Sequence, residues 1–281
     1  MKRAVKIFDT GIETIRAGCS SYRKPFQSLM RQSYLFQVIS QLAVLTSARL
    51  LGAVCVFLVS LMITRSFGAE VMAHYSLYLA AASIISVILP LGFHAIASMI
   101  IAEYNAEARM MDQHAFIGYG HRLIALMAVA LIAVALCFLF FVPASSHYQL
   151  SVLTLMTIPA AIAMAYTYFN AGTLIGLQHQ YSGQLPDMAL RPLLLLAGIG
   201  LLVYFHIEAT ILQVLLISSF AIWVAAIVQW WALRRAIRHK DGATCGSATE
   251  GEPKKWWQLA PGWGVINILW EYFVGYASLW V

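Results

Sequence analysis

Six stretches of this 281-residue sequence, 42–63, 75–101, 123–142, 150–174, 193–205 with its flanks, and 211–233, are apolar almost throughout. Each is close to the roughly 20 residues that a helix needs to cross a hydrocarbon core of about 30 Å. In hydrocarbon a peptide group finds no water, so such runs must become helices that satisfy their own backbone hydrogen bonds. A seventh run occupies 256–281. The expected fold is therefore an all-α polytopic transmembrane helix bundle with six complete helices and an incomplete seventh. Composition supports this, because 61% of the residues are hydrophobic and 11% charged, whereas a soluble domain needs roughly 25% charged residues to clothe its surface.

The net charge of +6 would suit nucleic acid only if the basic residues formed a patch on one soluble face. They follow the apolar runs instead. Seven Lys and Arg precede Leu42, Arg65 stands alone, Arg109 and Arg122 follow, then Arg191, and six lie between Arg234 and Lys255. Alternate connections carry sixteen of them against one, with Arg49 left inside a run. Cationic loops resist translocation, so the N-terminus and the segments near Arg109, Arg191 and Arg234 are expected in the cytoplasm. No nucleic acid is expected as a partner. Cys19 and Cys245 fall in the cytoplasmic segments and Cys55 and Cys137 in apolar runs, so no disulfide is expected.

Four regions follow. Residues 1–33 form a basic cytoplasmic tail without the apolar region of a cleavable signal, and 34–233 form the six-helix bundle. Residues 234–255, with Gly242, Gly246, Ser247 and Gly251, read as a cytoplasmic linker, and 256–281 as the incomplete helix. The tail mixes Lys2, Arg3, Lys6, Arg16, Arg23 and Lys24 with Ile7, Phe8, Ile12 and Ile15. It reads either as an amphipathic segment on anionic membrane lipids or as a disordered tail that sets orientation.

An ionisable group inside a membrane is costly and is a functional candidate by default. Arg49 lies about two turns inside the first helix, on a weakly polar stripe with Thr46, Ala53, Val56, Ser60 and Thr64. The competing reading is an arginine that snorkels to the headgroups. In the second run Ser76, Ser83, Pro90 and His94 share a face, and the proline is expected to bend the helix. Tyr166, Tyr168 and Asn170, which follow Pro159, read as interhelical hydrogen-bonding residues. The fifth helix is expected to begin near Met188, with Arg191 and Pro192 in its first turn. On that placement every Asp and Glu lies in a tail, loop or helix end except Glu271. The chain has no HExxH, CxxC, DxD or phosphate-cradling glycine loop, so no enzyme, metal or cofactor is expected.

The stretch 47–107 resembles the opening of bacterial polysaccharide-exporter flippases of the multidrug/oligosaccharidyl-lipid/polysaccharide superfamily. The residues that carry the resemblance are Ala48-Arg49-Leu50-Leu51-Gly52, Thr64-Arg65-Ser66-Phe67-Gly68-Ala69-Glu70, Leu89-Pro90-Leu91-Gly92-Phe93 and Ala102-Glu103-Tyr104. The two Arg-x-x-Gly units are similar to the first helix of lipid II flippases. Gly172, Gly176, Gln178, Pro186 and Arg191-Pro192 resemble the family's loop into helix five.

The resemblance implies an inner-membrane O-antigen or polysaccharide flippase working by alternating access, which turns over an undecaprenyl-diphosphate-linked oligosaccharide. It carries a substrate-contacting role onto Arg49, and with it Arg65 and Arg191; Ser60, Ser83 and His94 complete the candidate set. Guanidinium suits such a substrate because its planar fork matches phosphate and stays charged. Family members usually have twelve to fourteen helices. The expectation is thus the N-terminal lobe, either truncated or completed by a missing C-terminal half or by self-association. The alternatives are a cation-coupled drug exporter of the multidrug and toxin extrusion type, which usually has a carboxylate in an early helix, and an inactive remnant. A membrane-embedded sugar polymerase or acyltransferase would need clusters of acids or histidines.

Overall fold

Helix is the only regular structure among the described residues, which in this computed structural model are 39–141, 148–205, 210–238 and 252–270. In chain order the elements are α1 Ile39–Phe67, α2 Ala69–Ile88, α3 Phe93–Ala106, α4 Met110–Phe141, α5 Tyr148–Gly176, α6 Gln180–Leu185, a π turn Pro186–Leu190, α7 Arg191–Tyr204, α8 Ile211–Arg238 and α9 Glu252–Trp270. The chain divides into two units at Ser47. Of the first, only the opening of α1 is described; the second, Ala48–Val281, holds everything considered below. The basic tail, residues 142–147 and 206–209, most of the linker, Cys19, Cys245 and Glu271 lie outside the described residues.

Five helices, α1, α2, α4, the continuous stretch Gln180–Tyr204, and α8, are long and apolar enough to cross a membrane. Their outer faces are those of a membrane protein: Leu126, Val129 and Val134 on α4 are 63%, 67% and 66% exposed. In water such a surface would drive aggregation, whereas in lipid it costs nothing. The multi-pass, all-helical reading therefore stands.

At the centre is α5, against which α2, α3, α4 and α8 all pack. Its sequence explains that position. Ala160, Ala161, Ala163 and Ala165 are fully buried, and Gly172 and Gly176, four apart, face α3. A methyl group added at Gly176 would come within 2.8 Å of the Ser98 carbonyl oxygen, and one at Gly172 within 3.0 Å of that of His94. Small residues at that spacing let two helix backbones approach closely, which is how helices associate where lipid removes the hydrophobic drive.

Two apolar clusters meet α5 from different sides. One joins α3, α4, α5 and α9 through Phe93, Ile96, Ile100, Phe116, Phe169 and Trp256. The other joins α1, α2, α5, α7 and α8 through Val59, Ile63, Tyr78, Ile199, Leu215 and Ile222. On α3, α9 is held by specific pairs: Lys255 Nζ to Glu103 Oε1 at 2.6 Å, Trp256 Nε1 to the Tyr104 hydroxyl at 2.7 Å, and Asn267 against His94.

Two expectations need correction. The run 75–101 is not one bent helix. α2 stops at Ile88, and Leu89–Gly92 form a turn in which Leu91 and Gly92 take left-handed backbone, φ 48° and 86°. Pro90 lacks the N–H that would continue the ladder, and two successive left-handed residues break the right-handed helical path. The fifth helix does not begin near Met188 either. It begins at Gln180, so the connection after α5 is the short turn Leu177–His179, and Asp187 and Arg191 lie well inside a span.

Candidate functional site

Within the stretch Gln180–Tyr204, two prolines shape the backbone. Pro186 opens the π turn and Pro192 lies two residues past its end, and the Arg191 N–H reaches back five residues to the Pro186 carbonyl. A π turn costs regularity and is found mostly at functional sites. Because Pro192 has no N–H, the Met188 carbonyl loses its usual helical donor. That carbonyl oxygen abuts Gly52 of α1, where a β-carbon would overlap it. The glycine in Arg49-Leu50-Leu51-Gly52 is thus the contact point of α1 on the widened turn.

The π turn directs Asp187 and Arg191 to one side of the helix. Arg191 Nη1 donates to Asp187 Oδ1 at 3.1 Å, with the two side chains 20% and 31% exposed. Tyr75 of α2 and Tyr168 of α5 lie within electrostatic reach of the guanidinium. Beside them, Tyr78 is fully buried and its hydroxyl shares a 2.8 Å hydrogen bond with Ser219 Oγ of α8. The His94 ring sits 6.4 Å from that of Tyr168, and its Nε2 meets Asn267 Nδ2 at 2.6 Å while its buried Nδ1 has no partner among the described residues. A polar seam therefore runs through the bundle across α2, α5, α7 and α8, and on to α3 and α9.

What this arrangement can do is bind. Asp187 occupies only part of the guanidinium, whose remaining N–H groups suit an anionic or polyhydroxylated group. No group of three His, Cys, Asp or Glu that could hold a metal ion occurs among the described residues.

The sequence-predicted residues divide between the seam and the surface. Arg191 and His94 join the seam. Ser83 is half-buried on α2, and its carbonyl accepts the Ser86 hydroxyl at 2.7 Å. On α1 the buried residues are Ala48, Gly52, Cys55, Val59 and Ile63, so Arg49, Ala53, Val56 and Thr64 lie exposed on the other side, with Ser60 half-buried beside them. Ser60 Oγ is spent on the Val56 carbonyl at 2.9 Å. Arg65 is exposed near the end of α1.

Asp187, Tyr75, Tyr78 and Ser219 escaped the sequence reading. The spacing of Asp187 four residues before Arg191 was a usable signal, but polar Gln180, Ser182 and Gln184 made that stretch read as a loop. Asn170 does form an interhelical bond, accepting from His121 Nε2 of α4 at 2.8 Å.

No curated protein and no solved structure matches this chain. Residues 38–249 match the family model described as polysaccharide biosynthesis protein, a stretch that includes α1 to α8 and every seam residue named above except Asn267. The chain belongs to the polysaccharide biosynthesis protein family.

Proposed function

We propose that this protein is a transporter rather than an enzyme, moving an undecaprenyl-diphosphate-linked oligosaccharide across the bacterial inner membrane, with its N-terminus in the cytoplasm. The observation that carries the reading is Arg191: a guanidinium inside an apolar span, neutralised by a single partly exposed carboxylate. A charged residue at that depth is expensive and is kept where it serves a substrate or ion path. Family membership supplies the link to polysaccharide biosynthesis, and the uncovered stripe of α1 with Arg49 offers a second cationic contact.

Loss of the gene in its host tests this. Surface polysaccharide should disappear while the lipid-linked precursor accumulates, protected from reagents that label only the outer leaflet. If the precursor is never made, the protein acts in synthesis. If unpolymerised repeat units reach the cell surface, it acts as a polymerase.

A second reading gains from Asp187. A cation-coupled drug exporter usually has a carboxylate inside a helix, and Asp187 lies within the span Gln180–Tyr204. Increased sensitivity of the deletion strain to cationic drugs, with surface polysaccharide intact, would select that reading.

A further inference from the structure

A second feature of the bundle lies away from the polar seam. α4 and α8 both pack on α5 but scarcely touch each other, so a cleft of about 450 Å³ opens between them. His121 of α4, Tyr166 and Asn170 of α5, and Ile227, Trp230 and Arg234 of α8 line it. The cleft continues past Trp230 and Arg234 into a basic recess edged by Arg235 and Arg238 at the end of α8.

The charges there are held in an unusual way. The guanidinium of Arg234 lies 4.0 Å above the Trp230 ring, and that of Arg235 lies 5.5 Å from the Trp231 ring centre. None of Arg234, Arg235 and Arg238 is ion-paired among the described residues. An arginine stacked on an aromatic face keeps its N–H edge free for a planar or tetrahedral oxyanion while losing little side-chain entropy on binding. An arginine that only marks the membrane surface needs no such platform.

Below Arg234 the floor of the cleft is polar although it lies inside the span. Asn170 is 1% exposed, and because its Oδ1 accepts from His121 Nε2, a donor left in the lining for an ester oxygen is the Tyr166 hydroxyl. Farther along, Ala226, Ile227 and Trp223 make the lining apolar. From Trp223 to Arg234 the groove extends about 16 Å at 1.5 Å per residue. The sequence of surfaces is cationic, then polar, then apolar, which is the profile of a phospholipid: phosphate, glycerol, acyl chain.

We propose that the α4–α8 cleft binds an anionic phospholipid of the surrounding bilayer, with its phosphate on Arg234 and Arg238, its glycerol region at His121 and Tyr166, and one acyl chain along Ile227 and Trp223. The charge complementarity favours an anionic over a zwitterionic headgroup, since a choline would bring a cation among three guanidinium groups. This inference is independent of what the protein transports.

Quenching of tryptophan fluorescence by lipids brominated on their acyl chains tests it on the full chain in zwitterionic detergent. In the wild type, brominated phosphatidylglycerol should reach half-maximal quenching at a mole fraction at least fivefold lower than brominated phosphatidylcholine. Unbrominated phosphatidylglycerol should reverse it and unbrominated phosphatidylcholine should not, a comparison that needs no variant. Arg234→Gln combined with Arg238→Gln should bring the two lipids within twofold of each other. Ile227→Trp, which fills the groove and leaves the arginines intact, should also abolish the preference. Equal curves for the two lipids in the wild type would overturn the proposal. So would a preference that survives Ile227→Trp, since it would belong to the basic surface alone, or reversal by inorganic phosphate beyond that of sodium chloride at equal ionic strength, since the site would then take free phosphate.

Discussion

Arg49 and Arg191 are both guanidinium groups within apolar spans, yet their surroundings predict different behaviour on substitution. Arg191 is tied to Asp187. Removing either partner leaves an uncompensated, mostly buried charge, at a cost of about 3 kcal/mol, the lower end for such pairs because both side chains keep some exposure. Arg191→Gln or Asp187→Asn alone should therefore lower the thermal unfolding midpoint in detergent. The double variant should recover most of that loss while remaining defective in polysaccharide export. If the double variant exports normally, the pair is structural. Arg49 has no such partner among the described residues and lies on the exposed side of α1. Arg49→Ala should change stability by less than about 0.5 kcal/mol and still abolish export, and Arg49→Lys should restore it only partly for want of a bidentate fork. Normal export by Arg49→Ala would leave Arg49 as a snorkelling anchor.

How the helices meet is governed by glycines whose meaning differs with their surroundings. Gly92 combines a left-handed backbone with a close approach to the Ala260 carbonyl of α9, and Gly264 of α9 in turn sits against Gly92. Gly92→Ala should cost about 1–2 kcal/mol for the backbone alone, with more from displacing α9. Gly262, two residues before Gly264 on the same helix, has nothing near its would-be β-carbon, so Gly262→Ala should be neutral or stabilising by up to about 1 kcal/mol. Unfolding midpoints of the two variants make the comparison. Gly52→Val should act like Gly92→Ala, because the side chain would meet the freed Met188 carbonyl and push α1 off the π turn. A wild-type midpoint for Gly52→Val would show that α1 packs elsewhere.

For the molecule as a whole, the bias of sixteen basic residues against one predicts orientation. Reporter fusions after Arg109, in the turn Leu177–His179 and after Arg238 should read cytoplasmic, and fusions near Ser145 and Glu208 periplasmic. The fusion after α5 belongs at Leu177–His179 because Arg191 lies within a span. A periplasmic signal after Arg238 would overturn the order of crossings.

Much of this architecture was legible in the sequence because the physics behind it is local. A run of twenty apolar residues in lipid must satisfy its own backbone, so helix, length and membrane insertion follow from composition along the chain. So does the break at Pro90-Leu91-Gly92 as a disturbance, though not its completeness. The left-handed turn at Leu91 and Gly92 is where α9 packs closely, Ala260 and Gly264 lying against Gly92, and α9 is more than 150 residues away. The seam was hidden for a similar reason. Gln180 to Asp187 is polar enough to read as a loop until α1, α5 and α8 surround it; Gln229 of α8 donates to the Gly183 carbonyl at 2.7 Å, and Gly52 accepts the Met188 carbonyl against its bare α-carbon. The arginines of α8 could be counted from the sequence as topology markers. Their stacking on Trp230 and Trp231, four residues back on the same helix, is as local as the apolar runs, but its place beside His121 and Asn170 is a property of three helices brought together, because whether a charge faces lipid, water or another side chain depends on neighbours that are distant along the chain.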